Sequence, residues 1–309
     1  LLEPQLAAPL PEGLDLSQSV ALVSCDSQEV VPGTLFLCKG AHFKEAYLSQ
    51  AAQRGAVAYV SQTPYPAVDL PCILVSDMRQ VMAPLADRYY GHPSGLLSVI
   101  GITGTKGKTT TAYFTQAILN AYSNGRCALF SSVDNCLDGH TYVESDLTTP
   151  ESMGAFRMMR EAADNGMKYL VMEVSSQAYK VNRVHGLTFD VGAFLNISPD
   201  HISDIEHPTF EDYFRCKRRL IANSRSLVLG ADCDHRDLLM QDAADAGVKV
   251  TEFALHDAAR GLTSPAQVIA RVDPENKAGF IVSVNGSDLR PMELDMSGEF
   301  NVTNAAAAV

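Results

Sequence analysis

The stretch Leu96-Leu97-Ser98-Val99-Ile100-Gly101-Ile102-Thr103-Gly104-Thr105-Lys106-Gly107-Lys108-Thr109-Thr110 restricts most tightly what this chain can become. A short apolar run reads as a buried strand and breaks into glycines. Apolar residues then recur at helical spacing (Phe114, Ala117, Ile118, Ala121). Strand, glycine-rich turn and helix start together make a phosphate cradle. Backbone N–H groups and the helix N-terminus face the anion, a lysine meets the outer phosphates, and a hydroxyl reaches Mg²⁺. Gly104, Thr105, Lys106, Gly107, Lys108, Thr109 and Thr110 form that loop here. The strict pattern has glycine at position 102, where this chain carries Ile102; Gly101 and Gly104 stand nearby, so the loop is a variant.

A chain of 309 residues is long enough for two domains with real cores. At 46% hydrophobic and 19% charged it has the composition of a soluble globular protein. No apolar run approaches the roughly 18 residues of a membrane span, and no signal peptide is visible, so membrane insertion is not expected. A net charge of −12 argues against a nucleic-acid surface. A bound anion must therefore be held by a local cluster. The seven cysteines are scattered, odd in number and without a C-x-x-C pair, which predicts free buried thiols in a reducing cytoplasm.

Before the loop, strands are predicted over 19–25, 34–38, 56–60 and 72–75, with helices over 43–54 and 78–90. These make a small α/β domain over 1–93, closed by the linker 91–95. After it, strands over 169–174, 190–197, 226–230 and 248–253 alternate with helical segments. The prediction for 94–309 is a doubly wound, mostly parallel sheet. Ligands in such sheets sit at the carboxyl ends of strands, so residues just beyond each strand carry the information.

Glu173 leads into Ser175-Ser176-Gln177, and a carboxylate beside hydroxyls is either an Mg²⁺ ligand or a turn cap. Asn196 leads into Ser198-Pro199-Asp200-His201, where His201 is either a loop residue or a site residue. In Thr148-Thr149-Pro150-Glu151 a helix start is predicted, with Thr149 as N-cap and Pro150 at its first position. Further on, Thr209 and Asp212 resemble a capping box. Phe210, Tyr213, Phe214, Leu220 and Ile221 share one helix face with Lys217, which is the cation inside an apolar stripe. It either snorkels from the stripe's edge or is buried for a purpose. The chain stops at Val309 inside an alanine-rich helical segment.

These blocks together resemble the Mur ligases, the ATP-dependent amide-forming enzymes of peptidoglycan precursor synthesis, and most of all the members that add the third residue of the stem peptide. The resemblance is carried by Asp26-Ser27 with Pro32-Gly33, Gly104 to Thr109, Leu147 to Glu151, Met172 to Ser176, Asp200-His201, Lys217 and Asn301-Val302-Thr303-Asn304. It implies that Lys108 and its loop hold the ATP phosphates with Thr109 on Mg²⁺. It further implies that Glu173 and His201 serve metal sites, that Asn301 and Asn304 face adenine, and that Ser27 contacts the uridine nucleotide. Thr148, Thr149, Ser175 and Arg183 would hold the muramoyl-dipeptide. Lys217 matches a lysine that is carbamylated and helps bind Mg²⁺. Lys108, Glu173, His201 and Lys217 would be the catalytic set.

The implied reaction joins an amino acid to the D-Glu γ-carboxylate of UDP-MurNAc-L-Ala-D-Glu through an acyl phosphate, releasing ADP and phosphate. L-lysine is expected in preference to meso-diaminopimelate, and the enzyme is expected to be a cytoplasmic monomer. Two departures stand out. The family's Asp-Ser-Arg reads Asp26-Ser27-Gln28, and its C-terminal amino-acid-binding domain is absent from these 309 residues, so the fragment alone is expected to bind without forming product. The rivals are a folylpolyglutamate-type ligase, a phosphoryl-transfer kinase and a non-catalytic nucleotide-binding fragment.

Overall fold

The run that opens the glycine loop becomes the inner strand of a large sheet, and its alternation sorts the chain around it. In the computed structural model every residue is described except 1–4, 12–13, 16, 18, 41–42, 201, 257–265, 274–275, 277–278 and 297. Two compact units result, Leu1–His92 and Pro93–Val309.

The first unit is a four-stranded parallel sheet, β1 (Leu22–Ser24), β2 (Thr34–Leu37), β3 (Ala56–Ser61) and β4 (Cys72–Leu74), in that order. Two helices accompany it, α1 (Glu45–Gln53) after β2 and α2 (Met78–Tyr89) after β4. Phe36, Leu48, Ala51 and Tyr59 are buried in its core.

In the second unit β5 (Ser98–Thr103) leads through the glycine loop into α3 (Lys108–Ser123). Next come β6 (Cys127–Phe130), β7 (Asp134–Cys136), β8 (Tyr142–Glu144), α4 (Ser152–Asp164), β9 (Tyr169–Glu173) and α5 (Ser176–Lys180). The chain continues with β10 (Phe189–Phe194), α6 (Phe210–Ala222), β11 (Ser224–Gly230), α7 (Arg236–Asp245), β12 (Lys249–Leu255) and β13 (Val268–Val272). It ends with β14 (Gly279–Val284), β15 (Ser287–Asp288), β16 (Met292–Glu293) and α8 (Glu299–Ala308).

The run β13-β12-β11-β10-β5-β9-β6 is parallel, as predicted. Antiparallel strands finish both edges, β7 and β8 on one side and β14 to β16 on the other. The sequence reading missed both edges. Asp134-Asn135-Cys136 and Tyr142-Val143-Glu144 are too short and polar to announce strands, although each pairs fully with its neighbour.

Successive strand residues face opposite sides. Ile102 and Ala193 enter the layer made by α3 and α8, while Phe194 enters the layer made by α6 and α7. Ile102 is buried there, so the variant position in the loop motif is a core position of the α3 side. Gly101 and Thr103 face the other way, towards α6. A Cβ on Gly101 would lie 2.6 Å from the Phe189 ring.

One helix boundary needs correction. Thr149 is not the N-cap and Pro150 is not the first helical residue; α4 begins at Ser152 after Glu151, which is extended. The Thr149 hydroxyl is instead taken up by the end of β9, donating to the Glu173 carbonyl at 2.9 Å and accepting the Ser175 N–H at 3.0 Å. With that hydroxyl engaged, the extended Glu151 takes the capping position and Thr149 and Pro150 precede the helix.

Gly101→Ala should cost about 1–3 kcal/mol, because its methyl group meets an immobile ring packed in the core. Urea unfolding should show a lower midpoint at unchanged slope. An unaltered midpoint would show that Phe189 can swing clear.

Candidate active site

The loop after β5 is held open from outside. Asn196, just past β10, accepts the Lys106 N–H at 2.9 Å and donates to the Lys106 carbonyl at 3.0 Å, while its own carbonyl accepts the Thr105 N–H at 3.1 Å. The Thr105 hydroxyl accepts from the Ser198 N–H and from Tyr213, each at 3.0 Å. Gly107 caps α3 at φ +85°, and a Cβ there would fall 2.4 Å from Asn304 Oδ1, so both conformation and space demand glycine. Sequence reasoning gave Asn196 no role. Its place at a strand's carboxyl end was the one available signal.

Two ammonium groups converge behind this loop. Lys108 donates to the Gly104 carbonyl at 3.0 Å, and Lys217 to the same oxygen at 2.8 Å. Lys217 also approaches Thr103 Oγ1 at 3.4 Å and lies 4.9 Å above the Tyr213 ring. At 2% exposure it is not snorkelling. Burial drives its pKa well below the usual lysine value and the Lys108 charge pushes the same way, with Asp200, Cys216 and Glu173 opposing. Lys108 is lowered too, first by burial, against Glu173 and Asp200.

Glu173 ends β9 beside them. Its Oε1 accepts from the Ser132 N–H at 2.8 Å and lies 3.2 Å from Ser132 Oγ, which is 3.0 Å from Thr109 Oγ1. Thr109, Ser132 and Glu173 thus bring together hard oxygen donors of the kind Mg²⁺ takes. Ser132 follows β6, a strand the sequence reading did not contain. His201 lies outside the described residues.

A cavity of about 290 Å³ opens over the two lysines and is lined also by Thr148, Ser175, Ser176 and Arg183. Of the residues expected to hold a dipeptide, Thr148, Ser175 and Arg183 therefore share one wall, whereas Thr149 lies buried behind it. Arg183 is oriented by Glu151 at 2.7 Å and by the Thr149 carbonyl at 3.1 Å. A second cleft, about 480 Å³, is lined by Lys106, Gly107, Thr110, Asn196, Phe300 and Asn304. Asn304 faces it; Asn301, 2% exposed, is not on its lining.

Ser27 belongs to the first unit, where it donates to Gln50 Oε1 at 2.6 Å. Gln28, at the place of the family's arginine, receives one from elsewhere: Arg54 donates to the Gln28 carbonyl at 2.6 Å and to its side chain at 3.2 Å.

A buried network also escaped the sequence. His207 is fully buried, with Nδ1 2.8 Å from Asp212 Oδ2 and Nε2 2.9 Å from Ser176 Oγ. The His207 contact above all holds the Asp212 carboxyl down at about 2, with help from Arg215 and Lys180. Cys216 completes a cluster of metal-ligand types, but both imidazole nitrogens are already bonded. All seven cysteines are free.

The Mur ligase middle domain matches residues 102–309. The chain belongs to the Mur ligase family. It is 62% identical over 288 residues to the UDP-N-acetylmuramyl-tripeptide synthetase of Bifidobacterium longum, covering 93% of this chain and 55% of that protein. It is 45% identical over 308 residues to the UDP-N-acetylmuramoyl-L-alanyl-D-glutamate--L-lysine ligase of Enterococcus faecalis, covering 96% of this chain and 60% of the relative. Among solved structures, a UDP-N-acetylmuramoyl-L-alanyl-D-glutamate--2,6-diaminopimelate ligase superposes with a TM-score of 0.78 at 25% identity, over 94% of this chain and 59% of its own. The chain thus spans somewhat over half the length of the Mur ligases it matches.

Asp212 carries a pH consequence. Its folded pKa lies below the ordinary carboxyl value, so its stabilisation is complete above about pH 4 and is lost as pH falls through about 2. Asp212→Asn should be less stable than wild type at pH 7, and the gap should close between pH 4 and 2. Acid unfolding followed by circular dichroism at several pH values tests this; a gap constant down to pH 2 would refute it.

Proposed function

We propose that this chain is the substrate- and ATP-binding part of a ligase that adds an amino acid to the D-Glu γ-carboxylate of UDP-MurNAc-L-Ala-D-Glu. The observation that carries the reading is a single cavity at the strand ends in which Lys108, Lys217 and Arg183 meet Thr148 and Ser175. Two cations, Lys108 and Arg183, and two hydroxyls suit a carboxylate beside a phosphate chain, with Lys217 left to the metal as its carbamate. ATP would run from the glycine loop towards the cleft of Asn304 and Phe300, and residues 1–93 would take the uridine nucleotide at Ser27. The reading makes the protein a cytoplasmic monomer. The name of the Enterococcus relative favours L-lysine over meso-diaminopimelate as the amino acid.

A carboxylate is a poor electrophile, so its oxygen first attacks the terminal phosphorus of ATP, giving an acyl phosphate and ADP. The amine then attacks the carbonyl carbon and phosphate leaves. Negative charge moves in both steps, and Lys108 is fixed in place to balance it without reorganising. Thr109, Glu173 and the carbamate of Lys217 would hold Mg²⁺, which supplies further charge neutralisation at the phosphates.

Two measurements test these roles. Lys108→Ala should weaken ATP binding at least tenfold, about 1.4 kcal/mol, in calorimetry; unchanged affinity would remove the assignment. For Lys217, a solvated amine of pKa ~10.4 would be neutral in only about one molecule in 2,500 at pH 7. Its burial raises the neutral fraction, and the neutral amine is what reacts with CO₂. Wild-type protein in ¹³C-bicarbonate should show a carbamate resonance that is absent in Lys217→Arg, since arginine keeps the charge but cannot react. A wild-type spectrum without that resonance would end the idea.

A further inference from the structure

The turn from Ser131 to Asp134, which joins β6 to β7, is tied down from both sides. Ser131 is fully buried and closes the turn with one side chain. Its Oγ donates to the Asp134 carbonyl at 2.8 Å and accepts the Asp134 and Val133 N–H groups at 3.0 and 3.2 Å. Helix α3 then grips the turn at two points. Thr109 and Tyr113, four residues apart, share one helix face. Thr109 Oγ1 lies 3.0 Å from Ser132 Oγ, and the Tyr113 hydroxyl donates to Asp134 Oδ2 at 2.7 Å. Burial, with help from Asp134, pushes the Tyr113 hydroxyl up to about 12, so it keeps its proton at neutral pH.

On its other side the turn meets β9. Glu173 is 1% exposed, and a carboxylate so buried needs donors from the protein. Ser132 supplies two to one oxygen, with its N–H at 2.8 Å and its hydroxyl at 3.2 Å from Oε1. Among the described residues no hydrogen bond engages Oε2. A hydrogen bond to an ionised acceptor outweighs one between two hydroxyls, so the single proton of Ser132 Oγ goes to the carboxylate. Thr109 then donates to Ser132, which turns its proton aside and leaves its lone pairs available.

We propose that Ser132 is a positioning residue of the nucleotide site. It turns Glu173 and Thr109 so that one carboxylate oxygen and the lone pairs of one hydroxyl are left for a divalent cation on the nucleotide phosphates. The assignment rests on the Mg²⁺ reading above. Tyr113 and Asp134 extend the same device, because they fix the far end of the turn to the helix that carries Thr109. Without the Ser132 hydroxyl, its N–H still holds Glu173 but the link to Thr109 is lost. The two oxygens must then be ordered at the expense of binding energy.

Calorimetry of ATP on the whole chain, in Mg²⁺ and in EDTA, tests this with wild type, Ser132→Ala and Ser132→Thr. Wild type should bind ATP more tightly in Mg²⁺. Ser132→Ala should lose about tenfold in Mg²⁺ and less than about twofold in EDTA, where Lys108 and the loop N–H groups still hold the phosphates. Ser132→Thr restores the hydroxyl and should recover the Mg²⁺-dependent part. Tyr113→Phe should show a smaller loss of the same kind. Equal losses in Mg²⁺ and EDTA would make Ser132 a structural residue only and overturn the proposal. Unaltered affinity in Ser132→Ala, or no recovery with threonine, would overturn it too. Wild type whose ATP affinity ignores Mg²⁺ would instead remove the cation reading, and this proposal with it.

Discussion

Two ammonium groups share the carbonyl oxygen of Gly104, and much of the second unit follows from that contact. Like charges so placed repel, and burial removes the water that would screen them. The site tolerates them because Gly104 and Thr105 offer main-chain oxygens, Glu173 and Asp200 lie close enough to oppose the shift, and Lys217 gives up its charge readily. An arrangement that disfavours cations when alone favours an anion when one arrives. The cavity beside them is where such an anion would rest.

The sheet makes this convergence geometrically simple. Because β5 lies between β9 and β10, the residues leaving all three strands end at one edge. Glu173 comes from β9, the glycine loop from β5 and Asn196 from beyond β10. The two faces then divide the labour. The α3 layer takes Ile102 and supplies Lys108 and Thr109, while the α6 layer receives Thr103 and supplies Lys217 and Tyr213. Loop and lysines are held from opposite sides of one strand, so neither helix can shift without disturbing Gly104.

The sequence made part of this legible. The glycine loop, the parallel strands and the buried face of α6 were readable because each obeys a short-range rule: a motif in a strand-to-helix setting, an apolar run, a 3.6-residue period. Lys217 was recognisable for the same reason, as a cation in an apolar stripe. What escaped depends on pairing at a distance. Ser132 reaches Glu173 across 41 positions and His207 reaches Ser176 across 31, and no local pattern encodes either contact. The edge strands β7 and β8 were hidden because their stability comes from ladder partners and not from their own composition. Thr149 was misplaced because a Thr-Pro pair before a helix satisfies the rule for a cap, while the Glu173 carbonyl competes for the same hydroxyl and wins.

The chain's net charge of −12 looks hostile to anionic ligands, but distance decides the matter. At physiological ionic strength charges more than about 8 Å apart across solvent are largely screened. Surface carboxylates spread over the molecule therefore contribute little at the cavity floor. Lys108 acts from within the low-dielectric wall, where screening is weakest and its field is strongest. Arg183, held by Glu151, adds a donor whose orientation is fixed more than its net charge. Acidity at large and a local anion site are thus compatible.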